Sequence, residues 1–168
     1  MVRLKTRYIL FEVLYPCDTP QAKQSSESRA INTGILLRHH RVSPSQISAK
    51  TIAQEVRRSL QTNFGDYGLG KAGSLLQVKY FSNRTSTGII RCHREDTDLV
   101  LMALCLTNRI GEVDSLILNA VKVSGTIKKV EQYAIRRSQR FLAAVQRNDK
   151  DILDDFTNVT ANEEDQDD

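Results

Sequence analysis

Arg91 and His93 stand two residues apart in the segment FSNRTSTGIIRCHRED (residues 81–96), with Ile90 and Cys92 interleaved. Side chains alternate across a strand, so Ile90 and Cys92 share one face while Ile89, Arg91 and His93 share the other. One face is expected to pack and the other to carry charge. The preceding run LLQVKYF (75–81) alternates likewise, with Leu76, Val78 and Tyr80 on one side and Gln77, Lys79 and Phe81 on the other. Joined through Ser82 to Ser86, these runs predict an antiparallel pair. Cations two apart with an aromatic nearby suit RNA, because phosphates need point charges and bases need a flat surface to stack on. A solvated sheet face would show the same pattern, and the aromatic strand signature of RNA-recognition domains is missing.

No other constellation outweighs a plain structural role. His39 and His40, between Arg38 and Arg41, would bind phosphate or metal less readily than they would form a basic loop facing RNA or solvent. Cys92 and His93 point to opposite strand faces and cannot readily share a metal, and no zinc-ligand spacing occurs. The glycines of Gly65-Asp66-Tyr67-Gly68-Leu69-Gly70 follow a helix and precede a strand, the reverse of a nucleotide-binding turn, and predict a helix stop and loop. Asp96 and Asp98 are better placed to cap a helix than to hold Mg²⁺. The expectation is a chain with no catalytic residues and no metal site.

The 168 residues suit one domain. Charge is divided along them: residues 149–168 hold nine acids and one lysine, leaving 23 Lys and Arg against 11 Asp and Glu in residues 1–148. The net +4 therefore combines a body near +12 with a tail near −8. Such a body favours a polyanionic partner, a bias shared by ribosomal, tRNA-handling and chromatin proteins. The tail has few apolar groups and is expected to be disordered. No apolar run approaches the ~20 residues of a membrane span, so an intracellular protein with no membrane partner is expected. Cys17, Cys92 and Cys105 are read as reduced core or loop thiols.

The elements that must position these groups follow from periodicity. YILFEVL (8–14) predicts a strand extending back through Arg3, Lys5 and Arg7, followed by a polar excursion of about residues 17–42. Ser43-Pro44-Ser45-Gln46 supplies a capping pattern, after which Ile52, Val56, Leu60 and Phe64 form a helical stripe ending at Gly65. Beyond the hairpin, a second helix runs from Asp96 and Asp98 to Gly111. Its body LVLMALCL (99–106) is apolar all round, which requires cover on a second face, either by its own domain or by a partner protein meeting Leu101, Leu104 and Cys105. VDSLILNAVKV (113–123) predicts a fourth strand, interrupted near Asn119. In residues 127–147, Ile127, Val130, Ala134, Phe141 and Val145 fall within roughly 60° on a helical wheel, while Lys129, Arg136, Arg140 and Arg147 fall within roughly 40°, about 135° away. No acid lies within that basic stripe, so intrahelical pairing does not account for it. The order β, helix, β, β, helix, β, helix is the split βαβ pattern: an α+β, RRM-like or ferredoxin-like sandwich with a four-stranded antiparallel sheet and an extra C-terminal helix, spanning residues 1–148.

Three long motifs, RYILFEV (7–13), LLQVKYFSNRTSTGIIRCHRED (75–96) and VKVSGTIKKVEQYAIRR (121–137), together with HHRVSP (39–44) and NFGDYG (63–68), closely resemble the small RNA-recognition-like protein subunit of eukaryotic and archaeal ribonuclease P, shared in eukaryotes with ribonuclease MRP. The resemblance has a fungal character and covers roughly residues 1–147. It implies a non-catalytic subunit that helps hold a catalytic RNA, which removes the 5′ leader of precursor tRNA in one particle and processes precursor rRNA in the other. It further implies ribonuclease P RNA, ribonuclease MRP RNA, a TIM-barrel-like subunit and other particle proteins as partners, with precursor tRNA as a further candidate. No cofactor is expected on this chain, with Mg²⁺ at the RNA, in the nucleus and nucleolus. The residues assigned to RNA contact are Lys79, Arg84, Arg91, His93 and Arg94 around the hairpin and Lys122, Lys128, Lys129, Arg136 and Arg140 toward the last helix. Ser86, Thr87 and Ser124 would add hydroxyl contacts to phosphate.

Overall fold

The computed structural model describes residues 5–16 and 39–146. The polar excursion up to residue 38, with Cys17 and Arg38, lies outside these residues, as do Arg3, Arg147 and the acidic tail. The elements are β1 (Thr6–Leu14), α1 (Ala49–Gly73), β2 (Gln77–Ser82), β3 (Thr87–His93), α2 (Thr97–Leu106), β4 (Ile117–Ser124) and α3 (Ile127–Gln146), with a 3₁₀ turn, Arg94–Asp96, leading into α2. The four strands form one antiparallel sheet in the order β2-β3-β1-β4. This is the α+β, ferredoxin-like arrangement with a C-terminal helix that the sequence pattern predicts.

One sheet face carries Ile9, Phe11, Val13, Ile90, Cys92 and Leu118, which pack against Ile52, Val56 and Leu60 of α1 and Val100, Ala103 and Leu104 of α2. The helical stripe of α1 is thus core, as its fourfold spacing requires. The opposite face is covered along β1 and β4 by α3: Val130 closes over Leu10 and Ile89, flanked by Tyr8, Val121, Tyr133 and Ala134. The expected charged face is therefore partly a second small core, and Ile89 belongs to it. An amphipathic helix following β4 has nowhere else to bury its apolar stripe, because α1 and α2 already occupy the first face.

Two β-bulges change the alternation. Val78 faces Ile90, but Tyr80 rather than Lys79 faces Ile89, so Lys79 is the extra residue. From there the faces swap: Phe81 turns into the core and stacks on Phe11 with centroids 6.2 Å apart, while Tyr80 turns outward. Sequence alternation had these two reversed. Gly88 makes the stack possible, since a Cβ there would stand 2.5 Å from the Phe11 ring. The second bulge falls between Leu10 and Phe11, opposite Lys122 and Ala120, and leaves Val121 unpaired near the expected interruption at Asn119.

Helix boundaries also moved. Ser48, not Ser43, caps α1, its hydroxyl accepting from Thr51 N at 3.2 Å while Thr51 Oγ1 accepts from Ser48 N at 2.8 Å. Ser43 is instead held in a buried relay: Tyr15 OH donates to Ser43 Oγ, Ser43 Oγ to Ser86 Oγ, and Ser86 Oγ to Arg41 O, at 2.8, 2.8 and 2.7 Å. Asn83 Nδ2 donates to Pro44 O and Ile47 O, both at 2.8 Å, tying this turn to the hairpin. Gly65, with φ +62°, kinks the helix without ending it, and helix resumes through Gly73 where a loop was expected. Asp96 precedes α2, yet its side chain makes no cap hydrogen bond; the Thr97 hydroxyl donates back to Arg94 O at 2.9 Å, and the buried Asp96 carboxylate lies 3.8 Å from Lys71 Nζ. Helix α2 ends at Leu106, where the Thr107 hydroxyl donates to Ala103 O at 2.7 Å, well before Gly111.

Candidate nucleic-acid interface

Register places the outer-face residues in rows across the sheet. One row runs Gln77, Arg91, Tyr8, Ser124; the next runs Tyr80, Ile89, Leu10, Lys122; a third runs Ser82, Thr87, Glu12, Asn119. His93 pairs with Thr6 beyond the first row, and Arg94 N donates to Lys5 O at 3.0 Å. Lys5, Arg91, His93 and Arg94 therefore meet at one end of the sheet, where β4 also ends at Ser124 and α3 begins with Lys128 and Lys129. Lys5 was not among the expected contacts, because nothing local shows which strand ends converge.

The hairpin cations do not form one cluster. Six residue steps along β3 separate Thr87 from His93, about 20 Å at strand rise, so Arg84 in the turn stands far from His93 and Arg94. Lys79 is exposed at the β2 bulge. Ser86 is only 1% exposed and both gives and receives hydrogen bonds inside the relay, so it is not free for phosphate, contrary to expectation. Thr87 is half-buried, its hydroxyl 2.7 Å from that of Thr85. Arg91 is half-buried, with its Nε enclosed and without a hydrogen-bond partner among the described residues. Burial raises the Cys92 thiol pKa, with Thr97 opposing, so this core cysteine stays protonated.

Along α3, Lys128, Lys129, Arg136 and Arg140 are exposed. Lys122 Nζ lies 5.5 Å from the Tyr133 ring centre, which sets the Tyr133 side of α3 over the β4 edge. On the helical wheel Lys129, Arg136 and Arg140 adjoin Tyr133, so they continue from Lys122 as one cationic flank. Ser124 Oγ accepts from Thr126 N at 3.5 Å just before the helix.

Arg137, which lies beside this stripe on the helical wheel, turns inward. Its Nη2 donates to Glu12 Oε1 and Oε2 at 2.8 and 3.0 Å; Asn119 Nδ2 also donates to Oε1 at 2.8 Å, and His40 Nδ1 stands 3.8 Å from Oε2. The His40 ring meets Phe141 edge-on at 5.0 Å. His40 is thus part of the α3 clamp and not of an open basic loop. Burial lowers its pKa, with Arg137 and His39 acting the same way and Glu12 opposing. Four separated segments build this clamp, which is why sequence reading missed it.

The expected partner surface on α2 changes composition. Leu104 is fully buried in the core and Leu101 is half-buried against it, leaving Cys105 with Met102 and Leu106 exposed. A mixed pocket of about 170 Å³ lies between α1 and the segment after α2, lined by Glu55, Arg58, Thr62 and Arg109 among others. No group of three His, Cys, Asp or Glu side chains among the described residues is placed to hold a metal.

Fold and surface together define a basic, ferredoxin-like α+β module whose cations stand outward on a rigid frame, a class suited to meeting a polyanion. The profile of the Rpp14/Pop5 family matches residues 7–135, from β1 into α3, and the chain belongs to that family. It is 59% identical over 92% of its length to the Ribonuclease P/MRP protein subunit POP5 of Saccharomyces cerevisiae, covering 87% of that protein. It is 40% identical to the POP5 subunit of Schizosaccharomyces pombe over 90% of this chain and 99% of that one, and 32% identical to Ribonuclease P protein component 2 of Pyrococcus furiosus over 54% and 73%. A chain of a cryo-EM structure of yeast Ribonuclease MRP overlays with a TM-score of 0.43 at 13% identity, covering 83% and 98%, too loosely to bear on the fold.

Proposed function

We propose that this chain is a non-catalytic protein subunit of ribonuclease P and ribonuclease MRP, and that it binds and stabilises the catalytic RNA for 5′ leader removal from precursor tRNA and for precursor rRNA processing. One observation carries the reading: a chain 59% identical to a ribonuclease P/MRP subunit presents an acid-free cationic flank from Lys122 through Lys129, Arg136 and Arg140. Cations held on a packed helix meet phosphates without first losing backbone freedom, and the released counterions drive association. Lys5, Arg91, His93, Arg94 and Lys128 extend the surface around the sheet end. The chain supplies scaffold and charge, binds no cofactor of its own, and leaves Mg²⁺ chemistry to the RNA. Met102, Cys105 and Leu106 form the apolar surface for a protein subunit of the particle, a TIM-barrel-like one. The particle works in the nucleus, including the nucleolus, with precursor tRNA passing within reach of the subunit.

The test is purification of the tagged chain from its own cells at moderate salt, with sequencing of bound RNA and a precursor-tRNA cleavage assay. One or two abundant structured RNAs with leader-removing activity are expected. A diffuse RNA population without cleavage would leave only a basic adaptor. In vitro, Lys129→Ala/Arg136→Ala/Arg140→Ala should flatten the log-log salt slope of RNA binding by up to about 2–3; an unchanged slope would remove the α3 flank from the interface.

A further inference from the structure

Tyr80 stands on the part of the sheet that α3 leaves open. On the edge strand β2, the bulge at Lys79 turns it out of the core, opposite Ile89 of β3, and the residue is 54% exposed. Helix α3 covers Leu10 and Ile89 in the same row but stops short of Tyr80. Among the described residues no aromatic or cationic group stacks on the ring. On the same face its diagonal neighbour is Arg91, within reach of long side chains across a strand pair, and the enclosed Arg91 Nε has no hydrogen-bond partner among the described residues. Lys79 is exposed beside it, and residues 77–94 contain no acid. Glu12, the acid two strands away on this face, is 4% exposed and held by Arg137. An unstacked ring beside cations with no ion-pair partner among the described residues, on a hairpin without acids, therefore complements an anionic strand carrying flat bases, and a protein surface of ordinary mixed charge fits it less well.

We propose that Tyr80, with Lys79 and Arg91, binds an unpaired nucleotide of an RNA strand: the base stacks on the Tyr80 ring, and the adjoining phosphates meet Lys79 and the Arg91 guanidinium. This deepens, and rests on, the reading of the chain as an RNA-binding subunit. It adds a site for single-stranded RNA to the phosphate-binding flank of α3, on the far side of the helix from Lys122.

The experiment measures binding of the full chain to an RNA hairpin with a five-nucleotide single-stranded extension and to the same hairpin blunt-ended, across a salt series. Tyr80→Ala should weaken binding of the extended RNA about 5- to 150-fold, the loss of one base stack. Its salt slope should be unchanged, because stacking releases no counterions, and binding of the blunt hairpin should be unaffected. Tyr80→Phe should retain affinity. Tyr80→Trp should also retain it, and its fluorescence should be quenched by the extended RNA in a chain that otherwise has no tryptophan. Lys79→Ala should lower the slope by about 0.7. Wild-type affinity of Tyr80→Ala for both RNAs overturns the stacking site and leaves the RNA-subunit reading intact; failure of the wild-type chain to bind either RNA in a salt-dependent way overturns both. Loss of a co-purifying particle protein from Tyr80→Ala, with RNA binding unchanged, makes the patch a protein interface and overturns the proposal.

Discussion

Arg137→Ala should destabilise the fold more than Glu12→Gln, because the clamp between sheet and α3 is unevenly buried. Glu12 is 4% exposed, whereas the Arg137 side chain retains 39% of its accessible surface. Removing the arginine strands a buried carboxylate that retains the Asn119 amide at 2.8 Å and a mostly neutral His40 at 3.8 Å. Breaking a fully buried pair by deleting one partner costs about 3–5 kcal/mol. The solvent around Arg137 already screens part of that interaction, so about 2–3 kcal/mol is expected. Glu12→Gln leaves the more exposed partner unpaired and able to rehydrate, and about 1–2 kcal/mol is expected. For a chain of this length the arginine change corresponds to a fall in Tm of about 4–12 °C. Urea unfolding of the two single variants and the double variant provides the measurement, with hydrogen exchange along α3 to locate the loss. The double variant should cost less than the two singles together, because the stranded charge is gone. A cost below about 0.5 kcal/mol for Arg137→Ala, or a Glu12→Gln that costs more, would refute the argument that a buried anion on the sheet is what holds the helix.

Gly88→Ala should cost about 1–3 kcal/mol by overpacking, since the new Cβ would stand 2.5 Å from Phe11 and 2.8 Å from Tyr80 O; thermal unfolding checks it, and a wild-type Tm would show that the Phe11–Phe81 stack yields freely. The depressed pKa of His40 means that the unfolded chain takes up its proton first, near the ordinary value of 6.5. Its contribution to stability should be complete above that pH and decline as pH falls through it toward the lower folded value, and urea titrations between pH 7.5 and 5 should show a shallower decline for His40→Gln. Met102→Glu/Leu106→Glu should leave stability within about 0.5 kcal/mol, both side chains being exposed, yet abolish co-purification of a protein subunit while RNA binding in vitro persists; retention of every protein would clear this face of α2.

The alternating run at 89–93, the fourfold stripe of α1 and the acid-free stripe of α3 are local patterns, and each is legible because burial follows the period of its own element. They suffice for element order, for the split βαβ topology and for the exposure of Lys129, Arg136 and Arg140. The long shared motifs point to the family in the same local way. A bulge is different: nothing in LLQVKYF shows that Lys79 is the extra residue, because the insertion is defined by what stands opposite on β3, and it decides that Phe81 fills the core while Tyr80 faces outward. Ser86 and Leu104 likewise looked available from residue type alone, and only the Tyr15–Ser43–Ser86 relay and the packing of α2 on α1 enclosed them. Glu12, His40, Asn119 and Arg137 span 125 positions, too far apart for any period to link. Local pattern is enough for the set of elements and for the charge each can display. Which cations stand together and which side chains remain free depends on register and helix docking, and these are set by contacts between distant segments.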